Sequence, residues 1–328
     1  MRLSVAIATY NRSAMVREAI AAALGQSRAP DEIVVSDDAS TDDTRQMLDR
    51  WSGHDPRLRV ILQPVNSGGV ANWNAAMMAT GGDFIAWCSD DDRFTPDHLK
   101  ASLDYLEAHP QIGMVHSSFV DVRETSSGPV EEARRLRSAR PIVIHARNMF
   151  RYMTRYYDWP FHPSTLVMRR EVWDRTGPFD PQYALADTDW FVRAVEQFPA
   201  ALLPRYGVMN RRHAGNWSNR VGSARMQAEI FEIVERAMFR RWPRGGPARV
   251  CWRLLWRANV RARLLLTIRA RIRSGHANAA GAAWSTLIHA TGMPALDWLD
   301  PAGERWIQRR ALRLAAGLPE ARERVSPL

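Results

Sequence analysis

Asp90, Asp91 and Asp92 stand in a row directly after the apolar run Phe84 to Cys88 and Ser89. Adjacent carboxylates repel one another, and a divalent cation bound by their hard oxygens turns that repulsion into coordination. Ions such as Mg2+ or Mn2+ are held jointly by one or two carboxylates and substrate phosphates, so the triplet is a candidate metal and phosphate site. Taken alone, it reads equally well as a solvated acidic loop. A second pair, Asp37-Asp38, follows Glu32 to Ser36. A carboxylate at that strand end can accept the imide N–H of a pyrimidine, or Asp37, Asp38 or Ser40 can cap the next helix. Asn66, Gly68 and Gly69 open a further helix, where amides without side-chain obstruction can approach a nucleotide. His213 follows Arg211 and Arg212, whose field favours phosphate.

The elements that must position these residues alternate. Leu3 to Ala8 reads as a strand, followed by a helix with Met15, Val16, Ala19, Ile20, Ala23 and Leu24 on one face. Glu32 to Ser36 is a second strand, Ser40 and Thr41 N-cap a helix through Trp51, and Val60 to Leu62 is a third strand. A helix over Val70 to Ala79 ends at Gly81-Gly82, and Asp83 to Cys88 is the fourth strand. A βαβαβαβ series of this kind predicts a parallel sheet covered on both faces, with ligands beyond the carboxyl ends of its strands. Thr9-Tyr10-Asn11, Asp37-Asp38 and the triplet all fall at such ends. Farther on we expect a helix over 97–108, a strand over 114–118, an exposed excursion over 124–139 and a helix over 147–157. A strand over 164–168, a turn at Gly177-Pro178, a helix over 188–197 directly after Asp187, and a last strand over 206–210 complete this part. Beyond Ser223 the pattern is helical throughout.

The chain has 328 residues and a net charge of +10, and the excess is localised. Residues 225–328 carry 19 arginines against 8 acidic side chains, leaving 26 basic against 27 acidic residues in 1–224. The region around Arg249 to Arg273 interleaves tryptophans and leucines with arginines, as in helices that lie on anionic lipid or that pack an apolar stripe and solvate the cations. No nucleic-acid-binding module is recognisable. Cys88 and Cys251 lie far apart and the first falls in an apolar strand, which favours a reducing, cytoplasmic location over a disulfide framework. No window reaches the apolar length of a membrane span.

Thr-Tyr-Asn-Arg at 9–12, Asp-Asp-Ala-Ser-Thr-Asp-Asp-Thr at 37–44, the acidic triplet and Asp-Thr-Asp-Trp at 187–190 occur in that order. The chain thereby resembles a family 2 glycosyltransferase of the GT-A fold, over about residues 3–220. The resemblance implies an α/β catalytic domain over 1–223, with a mainly parallel central sheet. Its nucleotide-sugar half would cover about 1–118 and its acceptor half about 140–223, ahead of a basic helical region at 224–328. It implies that Asp38 contacts a uracil or thymine base while Thr9, Tyr10 and Asn11 pack against the nucleoside. Asp90 would face the donor sugar or ribose, and Asp91 would bind the metal, approached by His213. Ser89 and Ala186 depart from the family pattern, standing where an aspartate and a glutamate are usual. Asp187 falls on the general base, which takes the proton from an acceptor hydroxyl. One carboxylate suffices for a single displacement with inversion. The competing role for Asp187 is capping the helix that follows. His162, Asp189 and Trp190 fall on the acceptor side.

The expected activity is transfer of one sugar from a UDP- or dTDP-linked donor, assisted by Mn2+ or Mg2+, to a hydroxyl of a glycan or lipid-linked saccharide in cell-surface polysaccharide synthesis. Two alternatives stand beside it: a catalytically inactive glycan- or membrane-binding scaffold of the same fold, and a sugar-phosphate nucleotidyltransferase. The second should carry a Gly-rich basic loop after the first strand, and Thr9-Tyr10-Asn11 is not one.

Overall fold

β1, Leu3–Thr9, is buried along its whole length, which suits a strand covered on both faces in the middle of a sheet. It pairs in parallel with β2 (Glu32–Asp37), which pairs in parallel with β3 (Leu58–Leu62), and on its other side β1 pairs in parallel with β4 (Phe84–Ser89). The crossovers are α1 (Ser13–Leu24), α2 (Thr44–Ser52) and α3 (Gly69–Met78). α1 buries Val16, Ala19, Ile20 and Ala23, the spacing of one helical face. The computed structural model describes residues 1–134, 136, 138–149, 152, 161–217 and 223–241. The chain divides into Met1–His213 and Ala214–Leu328.

The strand order 3-2-1-4 makes the edge beyond β1 and β4 a topological switch point. The register sets Thr9 beside Asp37 and Ala8 beside Ser89. The turn after β1, the Asp37-Asp38 pair and the acidic triplet therefore leave the sheet at one edge.

The sheet continues past β4. β5 (Arg93–Phe94), α4 (His98–Ala108), β6 (Met114–Thr125), β7 (Gly128–Ala133), β8 (Ile142–Ile144), β9 (Val167–Arg169), α5 (Arg170–Thr176), α6 (Ala186–Gln197) and β10 (Ala200–Arg212) follow in the chain. In the sheet β4 is followed by β9, β6, β10 and β5. β9 runs antiparallel to both β4 and β6, β10 is parallel to β6, and β5 is antiparallel to β10.

Several expectations need correction. The strand at 114–118 continues to Thr125, and most of the expected excursion over 124–139 is a hairpin in which β7 pairs Val120 through Thr125 of β6. β7 is exposed along almost its whole length, so no buried face imposes an apolar alternation that would announce it. The strand expected over 164–168 is three residues of β9 behind a 3-10 turn at Pro163–Thr165. The last strand has 13 residues, because two irregularities between Leu202 and Val208 carry it past Pro204. α6 begins at Ala186, so Asp187 lies inside its first turn. Of the helix expected over 147–157, residues 150, 151 and 153–157 lie outside the described residues, as does 242–328 of the basic region; α7 (Ser223–Arg241) is its described part. Among the described residues no helix is long and apolar enough to cross a membrane.

His98, the first residue of α4, is fully buried against the Phe94 ring, and neither ring nitrogen has a hydrogen-bond partner. Gly207 makes room for it, since a Cβ there would sit 2.3 Å from His98 Nδ1 and 2.3 Å from Ser117 Oγ. Burial, assisted by the charge of Arg205, pushes the His98 pKa down to about 3. The unfolded chain, titrating near 6.5, binds a proton that the native state refuses, so stability is lost as pH falls below about 6.5. At about 1.4 kcal/mol per pH unit, His98→Leu should gain roughly 3 kcal/mol on the wild type between pH 7.5 and pH 4.5. Urea unfolding at the two pH values checks this, and an unchanged gap would contradict it.

Candidate active site

The turn after β1 is shaped by Asn11, which takes a left-handed φ of 53°, tolerable for asparagine. Its Oδ1 accepts from Thr41 N (2.7 Å) and Asp42 N (3.3 Å), and its N donates to Ser40 Oγ (2.8 Å). The turns after β1 and β2 are thereby tied together. Tyr10 stands 40% exposed above them. Asp37 turns back to accept from Ser40 N at 3.1 Å and from Ser40 Oγ, whereas Asp38 reaches across to the loop after β3. Asp38 Oδ1 accepts from Ser67 N (2.7 Å) and Ser67 Oγ (2.9 Å), and Oδ2 accepts from Gly68 N (2.9 Å). A carboxylate has about four acceptor positions, and these three bonds leave Asp38 one. Gly68 meets Asp38 at a φ of 88°, where a side chain would be strained. Asn66 beside it is exposed.

At the end of β4 the three carboxylates diverge. Asp90 accepts from Thr9 Oγ1 (2.9 Å) and from Arg12 Nη1 (2.7 Å), and the same nitrogen donates to Asp91 Oδ2 (2.9 Å). His213 Nε2 lies 3.1 Å from that Asp91 oxygen. Asp92 turns into the protein, accepting from Ser164 Oγ (2.5 Å) and Arg211 N (3.1 Å), with His162 Nδ1 at 3.8 Å. β5 pairs with β10 immediately after the triplet, and that pairing carries Arg211 and His213 over the carboxylates. The 3-10 turn ahead of β9 brings His162 and Ser164 from the other side. Ser164 ties the two together, since its hydroxyl also accepts from Ser89 N at 3.0 Å.

The electrostatics differ along the triplet. Burial, against the pull of Arg12, raises the Asp90 pKa to about 6. Burial and the Asp91 charge push Asp92 well above the carboxylate range. Burial acts on Asp91 too, but the His213 hydrogen bond and the charges of Arg12 and His213 outweigh it, and its pKa falls below the ordinary value. Asp91 is thus the residue whose anion the protein stabilises. A hard carboxylate oxygen and an imidazole nitrogen converging at Asp91 and His213 are donors that suit Mn2+ or Mg2+ when substrate oxygens complete the shell. Among the described residues no cluster of three protein donors exists.

A recess lies on the other side of His162 from Asp92. Asp187, His116 and His162 lie in its wall together with the aromatic rings of Trp87, Phe161 and Phe191. His162 therefore stands between Asp92 and the recess that Asp187 lines. Asp187 is half-buried in the first turn of α6, where Oδ1 accepts from Thr188 N at 2.8 Å. The turn ahead of it is fixed by Arg193, which donates to Thr176 O (2.6 Å), Pro178 O (2.8 Å) and Asp189 Oδ2 (2.8 Å). Trp190 Nε1 donates to Gly177 O at 2.9 Å. Asp189 and Trp190 are 5% and 1% exposed, so both hold α6 in place, and only Trp190 reaches the recess.

The structure thus gathers Thr9, Asp90, Asp91 and His213 in one bonded group, Asp38 and Gly68 in a second at the same sheet edge, and His162 and Asp187 at the recess. Arg12, Ser67, Ser164 and His116 belong to the site and escape a sequence reading. For Arg12 a signal exists, since it completes Thr-Tyr-Asn-Arg; for the others only the tertiary pairing reveals it.

Residues 4–175 match the family model described as Glycosyl transferase family 2. A putative colanic acid biosynthesis glycosyl transferase, WcaA of Escherichia coli (strain K12), is 32% identical over 115 residues, 35% of this chain and 40% of that protein. Two solved structures share the fold at 18% identity. Residues 1–349 of TarS of S. aureus, with UDP-GlcNAc, match at a TM-score of 0.57 over 73% of this chain and 66% of that one. The mannosyltransferase PcManGT from Pyrobaculum calidifontis, with GDP-Man and Mn2+, matches at 0.53 over 98% and 82%. The chain spans 55 to 60% of the length of several curated relatives. With its sheet, its strand-end carboxylates and more than half of its length matched, the chain belongs to glycosyl transferase family 2.

Proposed function

We propose that the protein transfers one sugar from a nucleotide-sugar donor to a hydroxyl of a glycan or lipid-linked saccharide, with inversion, in cell-surface polysaccharide synthesis. The observation that carries this reading is the position of His162, which joins the acidic triplet to the recess lined by Asp187. Asp38, with one acceptor position left, takes the imide N–H of a UDP- or dTDP-linked base, and Thr9, Tyr10, Asn11, Asn66 and Gly68 surround the nucleoside. Asp90 meets the ribose or donor sugar. Asp91 and His213 hold a divalent ion, which when bound neutralises charge growing on the departing diphosphate. Arg12, fixed between Asp90 and Asp91, adds a permanent positive charge on the same side. Asp187 accepts the proton of the attacking hydroxyl. Residues 1–223 form the catalytic domain in this reading, and the basic region 224–328 is the part that would meet an anionic membrane surface from the cytoplasmic side.

A panel of UDP-, dTDP- and GDP-linked sugars, each with and without Mn2+ or Mg2+, tests the donor side by thermal unfolding. A ligand at 100 times its Kd stabilises by about 2.7 kcal/mol, so one uridine- or thymidine-linked class should raise the midpoint by a few degrees and only with metal. No shift with any donor would overturn the reading. A shift with GDP-sugars alone would overturn the assignment of the base.

A further inference from the structure

His116, on β6, is 2% exposed, with its ring against Phe161 (centroids 4.6 Å) and Phe191 (5.3 Å). Its Nδ1 lies 3.0 Å from Thr165 Oγ1, and that hydroxyl donates to His162 O at 2.7 Å. A threonine hydroxyl has one proton to give. Thr165 therefore accepts from His116, and the imidazole proton resides on Nδ1. Burial pushes the His116 pKa down to about 3, so the ring is neutral at working pH. Nε2 is left as a bare acceptor, buried and without a hydrogen-bond partner. A buried acceptor in that condition is costly, and native proteins rarely keep one without a use.

His116 lines the same recess as Asp187, together with the rings of Trp87, Phe161, Trp190 and Phe191. We propose that Nε2 of His116 accepts a hydrogen bond from a hydroxyl or amide N–H of the acceptor sugar, adjacent to the hydroxyl that reacts at Asp187. This rests on assigning the Asp187 side of the cleft to the acceptor, and it deepens that assignment into a specificity rule. An acceptor ring that offers a donor group at this position is taken. A deoxy or O-methylated ring leaves Nε2 buried and unpaired and is rejected, the asymmetry by which a site built to bind a substrate hydroxyl discriminates strongly.

The test uses wild-type protein with 15N-labelled histidine and no donor, titrated with the methyl glycosides of glucose, galactose, mannose, N-acetylglucosamine and rhamnose. At least one glycoside should bind and move the His116 Nε2 resonance, assigned from its loss in His116→Gln, while the Nδ1 proton stays in place. His116→Phe should weaken that glycoside at least tenfold, and His116→Gln, which keeps an acceptor oxygen, should recover part of the loss. Nucleotide-sugar stabilisation should be the same in all three proteins, which also shows that the variants fold. Binding unchanged in His116→Phe, a bound glycoside that leaves Nε2 unmoved, or no binding by any glycoside overturns the proposal. So does an Nε2 resonance already hydrogen-bonded in the free protein and indifferent to sugars, the mark of a resident water. Glycoside binding that depends on His116 in a protein with no transfer activity would support this proposal and count against the catalytic reading alone.

Discussion

Asp187→Asn loses transfer by about a thousandfold while nucleotide-sugar binding and the thermal midpoint stay where they are. Positioned general bases contribute about 10²–10⁴ to rate, and the amide removes the proton-accepting charge with almost no change of shape. The Asn Oδ1 still accepts from Thr188 N, so the first turn of α6 keeps the hydrogen bond that Asp187 now makes at 2.8 Å. Asp187→Ala is the less informative variant, because it also deletes the hydrogen bond that Thr188 N makes to this side chain. The measurement is the initial rate under saturating donor beside a donor thermal shift. A drop in kcat with an unchanged donor midpoint is expected. Residual activity above about a tenth, against the 10²–10⁴ expected of a base, would leave Asp187 a structural role in the first turn of α6 and move the base elsewhere.

Asp91→Asn shows a different signature. In the folded protein the Asp91 anion is favoured by His213 and Arg12, and both meet its Oδ2. The substitution therefore removes the charged oxygen that Arg12 and His213 both meet, the place where the proposed ion and diphosphate would sit. We expect transfer to fall by about 10²–10³, the scale of losing one electrostatic contact to developing charge, with the metal concentration for half-maximal rate rising. The thermal midpoint should fall slightly, because the native state prefers the anion. His213→Gln should raise the metal requirement in the same direction and by less, since an amide oxygen replaces the imidazole while the Asp91 charge remains. A rate that is metal-dependent with the same midpoint in Asp91→Asn would show that the ion, if bound, is held by other groups.

β1, β2 and β4 are legible because burial on both faces writes continuous apolar runs, as in β1 with every residue buried. The polar residues that end those runs then mark the sheet edge where the site forms. The second half is less legible for definite reasons. β5 is two residues long and is defined by pairing with β10, 114 residues and more downstream, yet that pairing delivers His213 to Asp91. β9 is three residues long and enters antiparallel, and the turn before it sets Ser164 against Asp92. Arg12 looks like a solvated side chain at the start of α1, and only the fold shows it bridging two carboxylates. His116 gives no sequence signal at all, since a histidine within an apolar strand is an ordinary core residue; its significance lies in a tautomer fixed by Thr165. Ser89 and Ala186 look like gaps in the family pattern. In the fold the Ser89 backbone is tied through Ser164 to Asp92, and Ala186 is the fully buried first residue of α6.

The central claim is that Asp91 and His213 bind a divalent ion beside the diphosphate, with His162 at the adjoining recess. Histidine-ring NMR of the protein with UDP and substoichiometric Mn2+ tests it directly, because the paramagnetic ion broadens nearby resonances most. The account predicts that His213 broadens first and His162 next, while His54 and His109, in loops that lead into the opposite ends of β3 and β6, stay sharp. Broadening that spares His213, or that reaches His54 and His109 equally, would contradict it.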